Sequence, residues 1–294
     1  MLNAAAKSAG DEMRNLFRNS ALLRRLYYRT QMLRARGQSD ETQILDRLTR
    51  GILTKTFVEF GFHPVQFNCI GLAQNPDWHG LLVDGNARQI ADARAILPDR
   101  IKIEERFLTV DNLEFIKSAF PKIGVLSIDV DGNDFWFLRE LIDTRPSVIC
   151  VEYNSSLGLA PITVPYDPAF DRHEKHPRGW YHGASLTALA KLCAAHGYGL
   201  AEVSAAGANA FFTEGGTLDP QTAWKPNRLR ESYSGVPHEE QWEAIRHLSF
   251  ETVCSMPAAS VGPFCGELHR YPIAGTTGLF QLKSGRTSTP RLPQ

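Results

Sequence analysis

The stretch GYGLAEVSAAGANAFFTE, residues 197–214, decides the fold of this chain. Its two parts, GYGLAEVS (197–204) and NAFFTE (209–214), are apolar and aromatic runs of the kind that form strands. Only the four residues AAGA separate them, and a connection this short predicts a tight β-hairpin. The second of these strands is therefore expected to run antiparallel to the first.

Upstream of the hairpin, short apolar runs alternate with segments of helical periodicity. The predicted strands, in chain order, are TFVEF (56–60), GLLVD (80–84), IKIEERFL (101–108), GVLSIDV (124–130) and SVICVEY (147–153). The predicted helices follow the N-cap Asn86, cover 110–120 with Asp111 as N-cap, cover 133–142, and follow the N-cap Ser185. This alternation predicts an α/β fold, a Rossmann-like doubly wound sheet of seven strands with the last strand antiparallel.

The segments that flank residues 52–214 lack this alternation. Residues 1–51 carry apolar side chains at helical spacing and predict an N-terminal cap of two helices, the second ending at Gly51. Residues 215–294 predict an appendage with one helical piece at 239–248, packed on the main domain or on the second subunit of a homodimer. Residues 283–294 predict a disordered tail.

Composition and charge exclude several classes of protein. The 294 residues are 43% hydrophobic, and Lys+Arg and Asp+Glu number 32 each, so the chain lacks the basic field of a non-specific nucleic-acid binder. We expect no membrane partner and a cytoplasmic location, because neither a signal peptide nor a run of about 18 apolar residues is present. Five dispersed cysteines without a C-x-x-C pair indicate reduced thiols.

The order of elements from about 56 to 214 resembles that of class I S-adenosylmethionine-dependent methyltransferases. The sequence patterns most resemble those of the FkbM-like branch. They are SIDVDGND (127–134), a strand ending in VEYN (151–154), GASLTALAKL (183–192), and GYGL with NAFF in the hairpin. The resemblance implies S-adenosylmethionine as cofactor. It also implies methyl transfer to an oxygen nucleophile of a small-molecule acceptor, such as a sugar or a natural-product intermediate.

Ligands of open parallel sheets bind outside the carboxyl ends of the strands. Glu59 and Gly61 stand at the end of the first strand, where the resemblance implies that backbone amides approach the carboxypropyl end of the cofactor. Close approach of this kind needs glycine, and the family pattern has two or three. Gly61 alone remains in EFGFHPVQFN (59–68). Either Gln66 or Asn68 supplies polar contacts in a modified loop, or the site serves another purpose.

Asp84 ends the second strand in LLVDGN. A carboxylate offers two acceptor oxygens to the two hydroxyls of a ribose, which makes Asp84 the predicted ribose ligand. The alternative is that Asp84 only caps the next helix.

Four oxygen-bearing side chains follow the fourth and fifth strands. Asp129 and Asp131 share one side of their strand, about 7 Å apart by the rise per residue. Glu152 and Asn154 have the same parity on the next strand, so we expect all four to converge. They could bind magnesium or manganese, orient a substrate hydroxyl or act as base. They could equally hold a sugar, and Asp129 the amino group of the cofactor.

The long segment from 154 to 182 predicts a lid or a substrate surface. It carries His173, His176 and His182, whose spacing is weak evidence for a metal site and is typical of a solvated basic loop. His182 is the best single candidate for a general base, because the ordinary pKa of histidine lies near neutrality. The predicted catalytic residues are therefore Asp129, Asp131 and His182.

Two other functions are compatible with these residues. The pattern D-V-D-G-N resembles the first motif of haloacid-dehalogenase-type phosphatases, with Asp129 as nucleophile and Asp131 as acid/base around magnesium. That motif normally lies on the first strand of its domain, whereas here it follows the fourth. The other alternative is a non-catalytic binding protein that kept the fold and lost the donor site.

Overall fold

The computed structural model of the chain describes residues 20–32 and 37–254. The predicted tail at 283–294 and the first part of the N-terminal cap lie outside the described residues. The strands of the main sheet are β1 Thr56–Phe60, β2 His79–Asp84, β3 Ile101–Glu105, β4 Val125–Ile128, β5 Val148–Glu152, β6 Gly199–Val203 and β7 Asn209–Thr213.

The helices flank this sheet and precede and follow it in the chain. They are α1 Ala21–Met32, α2 Glu41–Leu48, α3 Ile70–Gln74, α4 Ala87–Ile96, α5 Glu114–Lys117, α6 Asp134–Leu141, α7 Arg172–Lys175, α8 Leu186–Ala195, α9 Pro220–Ala223, α10 Arg228–Ser234 and α11 His238–Ile245. Short 3₁₀ helices cover Val110–Asn112, Ile142–Thr144 and Ser155–Leu157, and Ile162–Thr163 pairs with Glu251–Thr252. None of the described helices is long and apolar enough to cross a membrane.

The strand order in the sheet is β3-β2-β1-β4-β5-β7-β6. Strands β1 to β5 are parallel to their neighbours, and β7 is antiparallel to both β5 and β6. The prediction of a seven-stranded doubly wound sheet with the last strand antiparallel is confirmed. The direction of winding reverses between β1 and β4, and this switch point is where an open α/β sheet leaves a crevice for ligands.

The central strands are buried on both faces, as their continuous apolar sequences predict. Val58 and Phe60 of β1 pack into one core cluster, whereas Phe57 packs into a second cluster on the other face of the sheet. All four residues of β4 are buried. The sheet is therefore a rigid platform that fixes the strand ends relative to one another.

Two of the predicted elements differ in the structure. The helix expected over 110–120 is a 3₁₀ turn followed by the single turn α5, and its N-cap is Thr109 rather than Asp111. The Thr109 side chain accepts from the backbone of Asn112, whose side chain accepts in return from Thr109 N, and this reciprocal capping box fixes the start of the turn. Strand β3 ends at Glu105 instead of 108.

The segment from 154 to 182 packs on the C-terminal appendage. Leu157, Val164 and Trp180 form an apolar cluster with Ile245 of α11, against which Trp242 and Phe250 also pack. Trp136 of α6 donates from Nε1 to the carbonyl of Val164, which ties this segment to the sheet. The described part of the appendage is thus built onto the main domain.

Candidate active site

A cavity of about 750 Å³ opens at the carboxyl ends of β1, β2, β4 and β5. This volume lies within the range of roughly 300–1,000 Å³ that small-molecule sites occupy. Its lining includes Asp84 at the end of β2, Asp129 and Asp131 after β4, and Glu152 at the end of β5. Four of the residues that the sequence singled out therefore face one crevice at the switch point of the sheet.

Gly61 joins the end of β1 to the loop that borders this cavity. Its φ is +68°, and a Cβ at this position would lie 1.6 Å from the carbonyl oxygen of Asp129. Its backbone N–H donates to the carbonyl of Val83 at 3.1 Å. Glycine is required here because the loop backbone crosses directly against the backbone that follows β4.

Aromatic packing replaces the missing glycines in the loop after Gly61. Phe62 is buried and meets Phe67 edge-on, with ring centroids 6.1 Å apart. His63 lines the cavity, and its Nε2 lies 3.2 Å from the hydroxyl of Tyr28 on α1. An N-terminal helix therefore contacts the loop that the sequence assigned to the cofactor.

Of the two amide side chains predicted to serve this loop, Asn68 is engaged inside the protein. Its Nδ2 donates to Ser127 Oγ at 3.2 Å, and its Oδ1 accepts from Asn209 Nδ2 at 3.1 Å. Gln66 is exposed and lines the cavity. Gln66 is thus the amide side chain that stands available to a ligand.

The side chain of Glu59 does not line the cavity, which corrects the prediction that it contacts the cofactor. It is 1% exposed, and its carboxylate accepts from Asn68 N at 2.7 Å and Cys69 N at 2.8 Å. Burial raises the pKa of Glu59 to about 7, although these hydrogen bonds favour the ionised form. Glu59 fixes the backbone that leads into α3.

Asp84 points into the cavity with two backbone partners. Its Oδ2 accepts from Phe62 N at 3.3 Å and its Oδ1 from Asn86 N at 2.6 Å. Burial raises the pKa of Asp84, and the two hydrogen bonds lower it. The N-cap of α4 is Asn86, whose side chain accepts from Arg88 N and Gln89 N, so capping does not account for Asp84.

Asp129, Asp131 and Glu152 form an acid cluster, defined here as these three residues. Each offers a carboxylate oxygen, and the three oxygens lie within 4.8 Å of one another. Among the described residues this is the one group of three or more side chains that could hold a metal ion. Burial, together with the carboxylates of Glu152 and Asp131, raises the pKa of Asp129 well above its ordinary value.

The loop after β4, which carries Asp129 and Asp131 of the acid cluster, is held by Asp134 at the start of α6. Asp131 adopts the left-handed conformation, with φ of +57°. The buried carboxylate of Asp134 accepts from Val130 N at 2.9 Å and Gly132 N at 3.0 Å, which stabilises this bend. Burial and the charge of Glu152 raise the pKa of Asp134 to about 8.

Arg230 of α10 supplies positive charge behind the acid cluster. Its guanidinium donates to Asn154 Oδ1 at 2.7 Å and to Glu152 Oε1 at 3.4 Å, and Nη2 lies 2.9 Å from His182 Nε2. Burial opposes ionisation of Glu152, but the positive charges of Arg230 and Arg172 favour the carboxylate and lower its pKa. Arg172 also contacts Asp131 directly.

Asn154 does not join the acid cluster, which corrects its predicted role as a metal ligand. Its Oδ1 accepts from Ser156 N at 3.0 Å as well as from Arg230. Its Nδ2 donates to the carbonyls of Trp180 and His182 at 2.8 and 2.9 Å. With both ends of the amide engaged, Asn154 joins the end of β5 to the segment that follows it.

The predicted general base, His182, is fully buried and does not line the cavity. Its Nε2 lies 3.8 Å from Glu152 Oε2, an oxygen that has no hydrogen-bond partner. Burial and the charge of Arg230 lower the pKa of His182, so the imidazole is neutral. His182 contacts Arg230 behind the acid cluster instead of meeting a substrate, which is a correction to its predicted role.

The other two histidines of the segment, His173 and His176, do not belong to the acid cluster and have different surroundings. His173 is exposed at the cavity, whereas His176 stacks on Trp180 with ring centroids 5.3 Å apart. No metal site forms among the described histidines. The functional residues that sequence reasoning missed are Arg172, Arg230 and Asp134. Asp134 lies within the SIDVDGND motif, but the region of Arg230 carries no readable pattern.

Comparison with known proteins gives structural similarity only. No protein-family model matches the sequence, and no curated protein is significantly similar to it. Among solved structures, a candidate O-methyltransferase from Klebsiella pneumoniae is 17% identical, with a TM-score of 0.42 over 68% of this chain and 93% of that one. The O-methyltransferase from Bacillus cereus in complex with SAH is 17% identical, with a TM-score of 0.40 over 58% and 76%.

The O-methyltransferase TomG from Streptomyces achromogenes, in complex with SAM, is 15% identical, with a TM-score of 0.39 over 58% of this chain and 77% of that one. Identities and TM-scores this low assign no activity to the chain. The strand order of the chain establishes the fold by itself. It is a Rossmann-like α/β sheet whose last strand is antiparallel.

Proposed function

We propose that this protein is an S-adenosylmethionine-dependent methyltransferase that acts on an oxygen nucleophile of a small molecule. The observation that carries the proposal is the position of Asp84 and the acid cluster around one cavity at the switch point of the sheet. The FkbM-like motifs at 127–134 and 151–154 supply the residues of the acid cluster and support the same function.

The residues of the cavity fit this cofactor in charge and in hydrogen-bonding chemistry. Arg172 and Arg230 pair with Asp131 and Glu152, whereas Asp129 has no cationic partner among the described residues. A desolvated carboxylate is costly unless positive charge balances it, and S-adenosylmethionine carries a sulfonium and an ammonium group. Asp84 keeps free lone pairs beside its two backbone partners, so it can accept from ribose hydroxyls. When bound, the cofactor supplies an electrophilic methyl group on its positively charged sulfur.

Asp129 is the residue that we assign as the base. Its carboxylate faces the cavity, and its raised pKa makes it a better proton acceptor than Glu152, whose pKa is lowered to about 2. In the proposed reaction Asp129 takes the proton of the acceptor hydroxyl. Glu152 stays ionised through its pairing with Arg230, and the lid segment orients the acceptor and excludes water.

The proposal is tested by calorimetric titration with S-adenosylhomocysteine. We expect micromolar binding that Asp84→Ala weakens at least tenfold, because one charge-assisted hydrogen bond contributes about 1.5–3 kcal/mol. Asp99→Ala is the matched control, since Asp99 is exposed and precedes the amino end of β3, at the opposite edge of the sheet. Absence of binding would contradict the proposal, and phosphatase turnover that is lost in Asp129→Asn would replace it with the phosphatase function.

In a metal-assisted form of the proposed reaction, the acid cluster binds a divalent cation, either magnesium or manganese. The oxygens of Asp129, Asp131 and Glu152 have the chemistry that these ions prefer, and Glu152 Oε2 is a buried oxygen without a partner. Such an ion would lower the pKa of an acceptor hydroxyl bound beside it.

We expect manganese to bind to the wild-type protein and to bind at least tenfold more weakly to Asp131→Asn, since loss of one carboxylate removes both a ligand and a charge. Electron paramagnetic resonance of the free ion measures this binding. If Asp131→Asn binds manganese as tightly as the wild type does, the ion does not bind at the acid cluster.

A further inference from the structure

Four carboxylates and four arginines line the cavity. The carboxylates all come from the ends of β2, β4 and β5, as described above, and Arg106 follows β3. The other three arginines come from segments 170–182 and 227–234, and none of the lining residues that these segments contribute is acidic. We call the lining part of these two segments the cationic wall, and its charged members are Arg172, Arg178 and Arg230.

Two of these three arginines are paired with carboxylates and one is not. Arg172 pairs with Asp131, and Arg230 pairs with Glu152. Within the described parts of the chain, Arg178 has no carboxylate partner; its Nη2 donates to the carbonyl of Ser234 at 2.9 Å. A guanidinium has five N–H donors. Arg178 therefore brings an unbalanced charge and further donors to the cavity.

The position of the Arg178 guanidinium is supported from two sides. Its Cζ lies 5.2 Å from the centre of the Trp180 ring, which is itself 7% exposed and stacked by His176. The contact with Ser234 connects it to α10 of the appendage. A cation held in this way over an aromatic ring is preorganised and pays less conformational entropy when it binds an anion.

The sheet order separates Arg178 from the place assigned to the cofactor. Asp84 ends β2, on one side of the switch point, whereas the segment that carries Arg178 follows β5 on the other side. An anion bound to Arg178 therefore belongs to the second ligand of the cavity. Charge-assisted pairing of guanidinium with carboxylate or phosphate is the strongest class of such contacts.

We propose that the methyl acceptor carries an anionic group, a carboxylate or a phosphate, and that Arg178 binds it. The inference rests on the proposed function, since it assigns the acceptor side of that same site. The acceptor would then present its hydroxyl to the acid cluster while its anionic group is held at the cationic wall, which fixes its orientation.

The test is a calorimetric titration of the protein, saturated with S-adenosylhomocysteine, with inorganic phosphate and separately with acetate. We expect one of the two anions to bind, and Arg178→Gln to weaken that binding about tenfold, as loss of a charge-assisted hydrogen bond does. Arg50→Gln removes the same charge from an exposed position outside the cavity and should leave the binding unchanged. The anion that binds more tightly identifies the group.

Three results would overturn the inference. They are binding of neither anion, equal binding by Arg178→Gln, and a loss of S-adenosylhomocysteine affinity on adding the anion, which would place the anion in the cofactor region. Failure of the proposed function is a separate outcome, because it appears as absence of S-adenosylhomocysteine binding. In that case the titration of the protein alone still decides whether Arg178 binds an anion.

Discussion

The pKa values of Asp129 and Glu152 move in opposite directions, although both belong to one cluster. Glu152 is paired with Arg230, whose positive charge lowers the pKa of this carboxylate. Asp129 is desolvated and faces two other carboxylates, so its pKa rises. Environments that separate the pKa values of adjacent carboxyl groups assign them different roles. In the proposed reaction this difference favours Asp129 as the proton acceptor and Glu152 as the fixed charge.

Asp129 should release a proton when a cationic donor binds. Because the pKa of Asp129 is raised, positive charge placed nearby lowers that pKa and favours loss of the proton. We expect binding of S-adenosylmethionine to release more protons than binding of S-adenosylhomocysteine, which lacks the sulfonium charge, across the pH range in which Asp129 titrates. Calorimetry in buffers of different ionisation enthalpy measures this number.

The difference should disappear in Asp129→Asn and should remain in Asp111→Asn, which changes an acid outside the cavity. Equal proton release by the two ligands in the wild type would show that Asp129 does not sense the donor.

At the scale of single residues, the sequence predicted which acids meet but not what surrounds them. The alternation of side chains along each strand and the adjacency of the two strand ends were sufficient to predict that Asp129, Asp131 and Glu152 lie close together. Arg230 lies 78 positions from Glu152 along the chain, in a region without strand–helix alternation. Periodicity carries no information about such a contact, so His182 was assigned to a role that its burial excludes.

At the scale of elements, helix α1 contacts the loop after β1 through Tyr28 and His63. Arg24 and Arg25 pair with Asp92 of α4, whose side chain is 2% exposed, and this pairing fixes the helix on the main domain. Tyr28 then meets His63 edge-on, with ring centroids 5.3 Å apart. The loop that lacks glycines is thus ordered by a helix from outside the sheet.

Tyr28→Phe should weaken binding of S-adenosylhomocysteine about fivefold, because it removes one hydrogen bond, of roughly 1 kcal/mol, from a loop that borders the cavity. Tyr27→Phe is the matched control, since Tyr27 is 50% exposed and lies beside it on the same helix. Calorimetry gives both affinities, and equal affinities would show that α1 does not order this loop.

Helices and strands with continuous apolar periodicity were predicted well, whereas helices of only one turn were predicted poorly. The strands of the sheet and helices α4, α6 and α8 follow their predicted positions closely. Helix α3 was not predicted, because it has only five residues, includes Gly71 and shows no full helical period. The backbone that leads into α3 is instead fixed by the carboxylate of Glu59 in β1, which accepts from Asn68 N and Cys69 N.

For the whole molecule, the cluster around Ile245 makes the appendage part of the folded unit. Ile245 is fully buried against residues of the segment that follows β5. Ile245→Ala should lower the free energy of unfolding by about 2–4 kcal/mol, as expected for a large-to-small change in a core. Leu53→Ala is the control, because Leu53 is 95% exposed and its truncation should cost less than about 0.5 kcal/mol.

Chemical denaturation followed by both tryptophan fluorescence and circular dichroism measures these changes. Coincident shifts in the two signals are expected if the appendage and the sheet unfold together. A shift confined to fluorescence would show that the appendage unfolds separately. Sequence analysis predicted the position of this region but not its contribution to the cavity. Its short helices α9 to α11 follow one another without the alternating strands from which the sheet was predicted.

The late position of Arg230 in the chain also has a consequence for biosynthesis. Translation delivers β1 to β5 and their acids first, and the guanidinium that neutralises Glu152 emerges only after the whole sheet has been made. A nascent polypeptide that stops short of α10 leaves this carboxylate without its counter-ion, and truncated products should therefore lack affinity for both ligands. Completion of the sheet alone therefore does not supply the counter-ion of Glu152, because α10 must also have been made.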